Sequence, residues 1–187
     1  FLLLLSFLYF TLNSFAVIEP IVVKGSVKGI AGGSYLNQPI NISIIEDFIT
    51  NRRKVVKSGF TDNHGNYSLS VNIEKTQFAI ITLKKVERTL FIAPGKSYFV
   101  NITAPFQELE SSHGFFAKDV RKAIIKNLYA GEINFLIDSL ERMSSNFLYT
   151  SGSNRRNYKY VKNFTDSIKS NFQSFQDPFF KKYLDFK

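Results

Sequence analysis

Residues able to do chemistry are few and scattered in this chain. Of 187 residues, two are histidine and none is cysteine. Disulfides, thiolate metal sites, thiol nucleophiles and a lipid-modified N-terminal cysteine are therefore excluded. His64 stands in Asp62-Asn63-His64-Gly65-Asn66-Tyr67, and His113 in Ser111-Ser112-His113-Gly114. A serine–histidine–aspartate site is defined by geometry rather than order, but no G-x-S-x-G elbow is present to expose a serine. Two histidines give too few donors for a zinc site, and Asp62 to Asn66 is too short for an EF-hand loop. Glu108, Glu110 and Asp119 read as an acidic linker. Neither G-x-x-x-x-G-K-[ST] nor G-x-G-x-x-G occurs, so those phosphate-binding loops are unsupported. The expectation is a non-enzymatic chain with no catalytic residue, no cofactor and no metal.

Composition bounds the partners. The chain has 20 Phe and 9 Tyr but no Trp, enough large side chains for a sizeable core. A net charge of +9 raises the question of a polyanionic partner. The excess is spread over both halves with acidic residues interleaved, and its densest run, Arg52, Arg53, Lys54 and Lys57, falls between expected strands. A solvated lysine-rich surface is the simpler reading, with no nucleic acid. Asn41, Asn66, Asn101 and Asn163 begin N-x-[ST] sequons, which matter only in a eukaryotic secretory route.

The positioning elements come in three stretches. Phe1 to Phe10, FLLLLSFLYF, followed by Ser14-Phe15-Ala16, has the apolar length and small-x-small site of a signal peptide. It lacks a Met and a basic start, so residues 1–16 read as a truncated signal peptide. An uncleaved anchor is the alternative, although Asn13 and Ser14 cut the run short of the roughly 20 residues of a span. Either way the remainder is expected outside the cytoplasm, in the periplasm, on the outer membrane or extracellular.

From residue 17 to 105 apolar residues recur every second position. Ile21, Val23 and Val27, then Ile40, Ile42 and Ile44, then Val55, Val56 and Phe60 mark strands. The turn Asp62 to Asn66, with Gly65 suited to positive φ, should join Lys57–Thr61 to Tyr67–Val71 as a hairpin. Phe78–Leu83, Thr89–Ala93 and Tyr98–Ile102 complete seven strands, with Pro94-Gly95 as a turn. That spacing predicts an antiparallel sandwich. From 106 to 187 the spacing becomes helical. Phe116, Val120, Ile124 and Leu128 suggest a helix over 115–128. Ile133, Leu136, Ile137, Leu140, Met143 and Phe147 give a clear apolar stripe, and Tyr158 to Phe175 a second. Asp177-Pro178 looks like an N-cap with proline at the first helical position. The fold class expected is α+β, a seven-stranded sandwich followed by three or four helices.

The stretches VVKGSVKG, GFTDNHGNYSLSV and TLFIAPGKSYFV resemble the transthyretin-like (prealbumin-like), carboxypeptidase-regulatory-like domains of exported Gram-negative bacterial proteins. The matching positions are Val23 to Gly25, Thr61 to Tyr67 and Leu90 to Ala93. The turn Pro94 to Tyr98 is similar to that of N-terminal domains on exported thioredoxin-like proteins. The resemblance covers residues 20 to 105. It implies an accessory module without activity, since the zinc pair H-x-x-E of the associated carboxypeptidases is missing. It also implies that the chain continues past Lys187. The leading expectation is a structural or binding module of a cell-envelope protein, its partner an envelope protein or glycan, with membrane contact only through an uncleaved N-terminal segment. One alternative is the accessory domain of a thioredoxin-like oxidoreductase. Another is a carbohydrate-binding module presenting Tyr35, Tyr67 and Tyr98 on one sandwich face.

Overall fold

A computed structural model describes residues 19–29, 35–47, 49–104, 119–152 and 156–186. The signal-peptide stretch, His113, Glu108 and Glu110 lie outside these. Among the described residues nine strands are followed by three helices: β1 (Ile21–Gly29), β2 (Pro39–Asp47), β3 (Arg52–Phe60), β4 (Asn66–Val71), β5 (Gln77–Leu83), β6 (Val86–Ile92), β7 (Ser97–Ala104), β8 (Asp119–Lys122), β9 (Ile124–Ile125), α1 (Ile133–Thr150), α2 (Tyr158–Phe172) and α3 (Pro178–Phe186). They form an α+β fold with two sheets, ordered β4-β1-β7-β9 and β3-β2-β5-β6-β8. Alternation decides which side chains meet between the sheets. Ile21, Val23 and Val27 point inward while Lys24 and Lys28 point out, and Tyr67, Leu69 and Val71 alternate with outward Ser68 and Ser70. A second core forms where Leu136, Ile137 and Leu140 of α1 meet Ile168, Phe172 and Phe180. Among the described residues no helix is long and apolar enough to cross a membrane.

All seven expected strands are present, with four differences. First, the sheets are mixed: β1 runs parallel to β7, and β6 parallel to β8. Second, β3 pairs with β2 while β4 pairs with β1, so the Asp62 turn is an arch between sheets and not a hairpin. The two strands meet face to face: a Cβ on Gly59 would lie 2.5 Å from Leu69 Cδ2. Third, residues 119–125 form β8 and β9 where a helix was expected. Val120 and Ile124, which suggested an apolar stripe, are exposed, and backbone pairing with β6 and β7 wins instead. Fourth, the dense basic run lies on β3, an edge strand. Charged side chains there discourage edge-to-edge association.

The resemblance motifs acquire a physical reason here. Asp62 Oδ1 accepts from the backbone N–H groups of His64 (2.7 Å) and Asn66 (2.8 Å), and Gly65 takes φ +77°. The Gly65 carbonyl accepts from Val27 N at 2.8 Å, fastening the arch to β1. Tyr67 lies opposite Gly25. Its hydroxyl passes over that glycine and donates to the Val100 carbonyl of β7 at 2.7 Å. A Cβ on Gly25 would sit 1.8 Å from the same carbonyl oxygen, so no other residue fits. Gly25→Ala should destabilise the chain by about 3 kcal/mol, through forced separation of β1 and β7. Tyr67→Phe should cost about 1–2 kcal/mol from the carbonyl left unpaired. Urea titration of both variants checks the order.

Candidate functional site

The sandwich and the helical layer meet along the open edge of β6. Its first residues pair with β8, whose Asp119 N–H donates to Lys85 O (3.0 Å), and Ala123 N–H donates to Thr89 O (2.8 Å). Beyond Thr89 the edge is continued by a side chain. The Asn134 amide accepts from Phe91 N at 2.7 Å and donates to Phe91 O at 2.8 Å, as a neighbouring strand would. Asn134 is held in turn by Glu132, the N-cap of α1, which accepts from its backbone N–H (2.8 Å) and its amide (2.9 Å). Such a cap satisfies helix-end N–H groups that have no intrahelical partner. The Tyr98 hydroxyl accepts from Ala93 N at 2.9 Å and donates to Glu132. Burial pushes the Glu132 carboxyl above its ordinary range, although these bonds oppose the rise. Burial, then the nearby Glu132 charge, drives the Tyr98 hydroxyl far above its usual value.

Beside this junction lies a cleft of about 280 Å³ between β6, the β8–β9 segment, α1 and α3. Phe78, Leu90, Phe91, Ile125, Leu128 and Ile137 line its apolar part. Phe91 makes edge contacts with Phe78 at 5.2 Å and Tyr183 at 6.2 Å between centroids. At the rim, Lys122 Nζ lies 2.7 Å from Asp138 Oδ1 and 2.5 Å from Glu141 Oε2. The Tyr183 hydroxyl donates to the other Glu141 oxygen at 3.0 Å. Burial alone would lower the Lys122 ammonium, but its two carboxylate partners outweigh it and hold the group above its ordinary value. Burial, then the bond to Glu141, pushes the Tyr183 hydroxyl up to about 12. At the rim a protonated ammonium and a protonated phenol thus face the carboxyl groups of Asp138 and Glu141. An apolar recess with a polar rim suits the seating of a group.

The tyrosines singled out in the sequence do not share an exposed face. Tyr67 and Tyr98 are only 5% and 1% exposed, so as a stacking platform they are corrected to core residues. Tyr35 is half-buried, packed on the sandwich core with Lys84 Nζ 5.5 Å from its ring. His64 is exposed in the arch. The nearby Asp62 carboxyl is held below its ordinary value by the Asn66 and His64 backbone N–H groups. Among the described residues no three His, Cys, Asp or Glu side chains are placed to hold a metal ion. Lys122, Asp138, Glu141 and Tyr183 were not anticipated. Asp138 and Glu141, three apart beside an apolar helical stripe, were the signal available.

No family model matches the chain, and no curated protein matches it. Among solved structures it is similar to (S)-allantoin synthase, with 10% identity, TM-score 0.36, and coverage of 49% of this chain and 42% of that one. A 9R-lipoxygenase from Cyanothece PCC8801 gives 11%, 0.32, 50% and 18%. The shaft pilin SpaA from Lactobacillus rhamnosus GG gives 8%, 0.35, 49% and 52%. The chain thus spans about half or less of each of these proteins. Likeness at this level assigns neither family nor activity.

Two variants test the junction. Asn134→Leu removes both partners of Phe91 and should lower stability by about 2–3 kcal/mol. For Glu132 the folded-state pKa is above the unfolded value, so its protonated form favours folding. That contribution is complete below about pH 4.5, the ordinary value, and is lost as pH rises through the folded-state pKa. Glu132→Gln, neutral throughout, should flatten this decline when urea midpoints are compared from pH 4 to 7.

Proposed function

We propose that the chain is a non-catalytic structural and binding module of an exported cell-envelope protein. Its sandwich is of the transthyretin-like, carboxypeptidase-regulatory-like type, and its junction cleft seats an apolar side chain flanked by a cation on a partner. The observation that carries this reading is the composition of the cleft. Its apolar lining offers contact area, while Lys122, Asp138, Glu141 and Tyr183 engage one another at the rim. One ammonium against two carboxylates favours a cationic neighbour for the seated group. The Gly25–Tyr67–Val100 contact and the Asp62 arch support the sandwich type, because they give two of the three resemblance motifs a packing role.

The probe is phenethylamine, an apolar ring with an ammonium, compared with phenylacetate, the same ring with a carboxylate. In NMR titrations the methyl resonances of Ile125, Leu128 and Ile137 should shift with the amine and several-fold less with the acid. Asp138→Asn should narrow that preference. A cleft unmoved by either probe, or one preferring the acid, overturns the reading.

A further inference from the structure

Helices α1 and α2 run antiparallel: Phe175 packs near Gly131 at one end, and Phe147 meets Tyr160 and Phe164 at the other. At that second end the Phe147 ring stacks on Phe164 with centroids 4.0 Å apart and on Tyr160 at 5.4 Å. The stack fixes the end of the hairpin and turns its neighbours outward. Leu148 is 55% exposed, Tyr149 91% and Tyr158 79%. None of these three residues lines the junction cleft, whose α1 residues, Asn134 to Glu141, lie nearer the start of the same helix.

The sequence at this end is rich in basic residues. From Arg142 to Thr165 the sequence holds five basic residues, Arg142, Arg155, Arg156, Lys159 and Lys162, and no aspartate or glutamate. Lys162 is paired with Asp166 at 2.6 Å. Arg142, Arg156 and Lys159 are exposed and make no ion pair among the described residues.

We propose that this end of the α1–α2 hairpin docks on an anionic lipid surface. Tyrosine suits such a boundary because its ring is apolar and its hydroxyl remains hydrated. Arg156 and Lys159, on either side of Tyr158 in the sequence, supply positive charge for acidic headgroups. Leu148 favours a bilayer over a nucleic acid or an acidic glycan, since an aliphatic side chain gains from acyl chains and stacks on nothing. This contact is separate from any insertion of the apolar run at residues 1–10, the one membrane contact the sequence reading allowed for.

The chain lacks tryptophan, so Tyr149→Trp in the full chain installs a single reporter. With phosphatidylglycerol-containing vesicles its emission should shift to the blue and be quenched by brominated acyl chains. Ile49→Trp, at an exposed position between β2 and β3, should show neither effect even if residues 1–10 insert. Arg156→Glu/Lys159→Glu in the Tyr149→Trp background should weaken the response at least about tenfold, as should raising the salt to 0.5 M. Circular dichroism confirms that this variant keeps its helices. An unchanged Tyr149→Trp spectrum overturns the proposal. So does an equal response to phosphatidylcholine vesicles. Tighter binding to heparin or an oligonucleotide, without lipid quenching, makes the site a soluble-polyanion site and also overturns it.

Discussion

Two strand edges in different sheets must be covered, and one short segment covers both. β6 and β7 each end their original run of neighbours with open N–H and C=O groups, whose desolvation without partners is costly. Residues 119–134 supply those partners. β8 pairs with β6 and β9 with β7. Asn127 accepts from Phe99 N at 2.8 Å and donates to Ser97 O at 2.7 Å, while Asn134 does the same for Phe91. Two asparagine amides thus act as single-residue strands. The helical layer is fastened by the second of them, which is why the cleft forms where it does.

A buried cation fixes the start of that segment. The Arg88 guanidinium donates to Thr103 O (2.8 Å) in β7 and to Asp119 O (3.0 Å) and Asp119 Oδ2 (2.9 Å) in β8. Burial would raise the Asp119 carboxyl, yet Arg88 and Arg121 hold it below its ordinary value. Removing Asp119 would strand the Arg88 charge in a dry site, the costliest way to break such a pair. This joint ties the two sheets together independently of the apolar core.

Alternation was most legible in β1 and β4, which have one dry face and one wet one, as Ile21, Val23 and Lys24 illustrate. The stripe through Leu136, Ile137 and Leu140 was legible for the same reason at helical spacing. Pairing was not legible: nothing in Tyr67–Val71 says whether β1 or β3 is its neighbour. β8 and β9 were hidden because strands of four and two residues carry no period of their own and owe their shape to distant partners. The burial of Tyr67 and Tyr98 could have been read, since each shares its inward phase with core residues, Leu69 and Val71 in one case, Val100 and Ile102 in the other. Of the cleft, the apolar Ile137 was read as part of the helical stripe, whereas the polar border was not read, although Asp138 and Glu141 stand beside that stripe. Lys122 lay in a stretch with the wrong period, and Tyr183 was one aromatic among many.

The central place of β1 has a consequence for biogenesis. Ile21 must wait for Val71, and Val22 for Ser97, before either side of the strand is satisfied. A polypeptide emerging N-terminus first therefore carries β1 with both edges open until β4 and then β7 have been made. Loop closure over such separations slows folding and prolongs exposure of sticky intermediates. The first strand made is thus locked only after its distant partners, β4 and β7, have followed it.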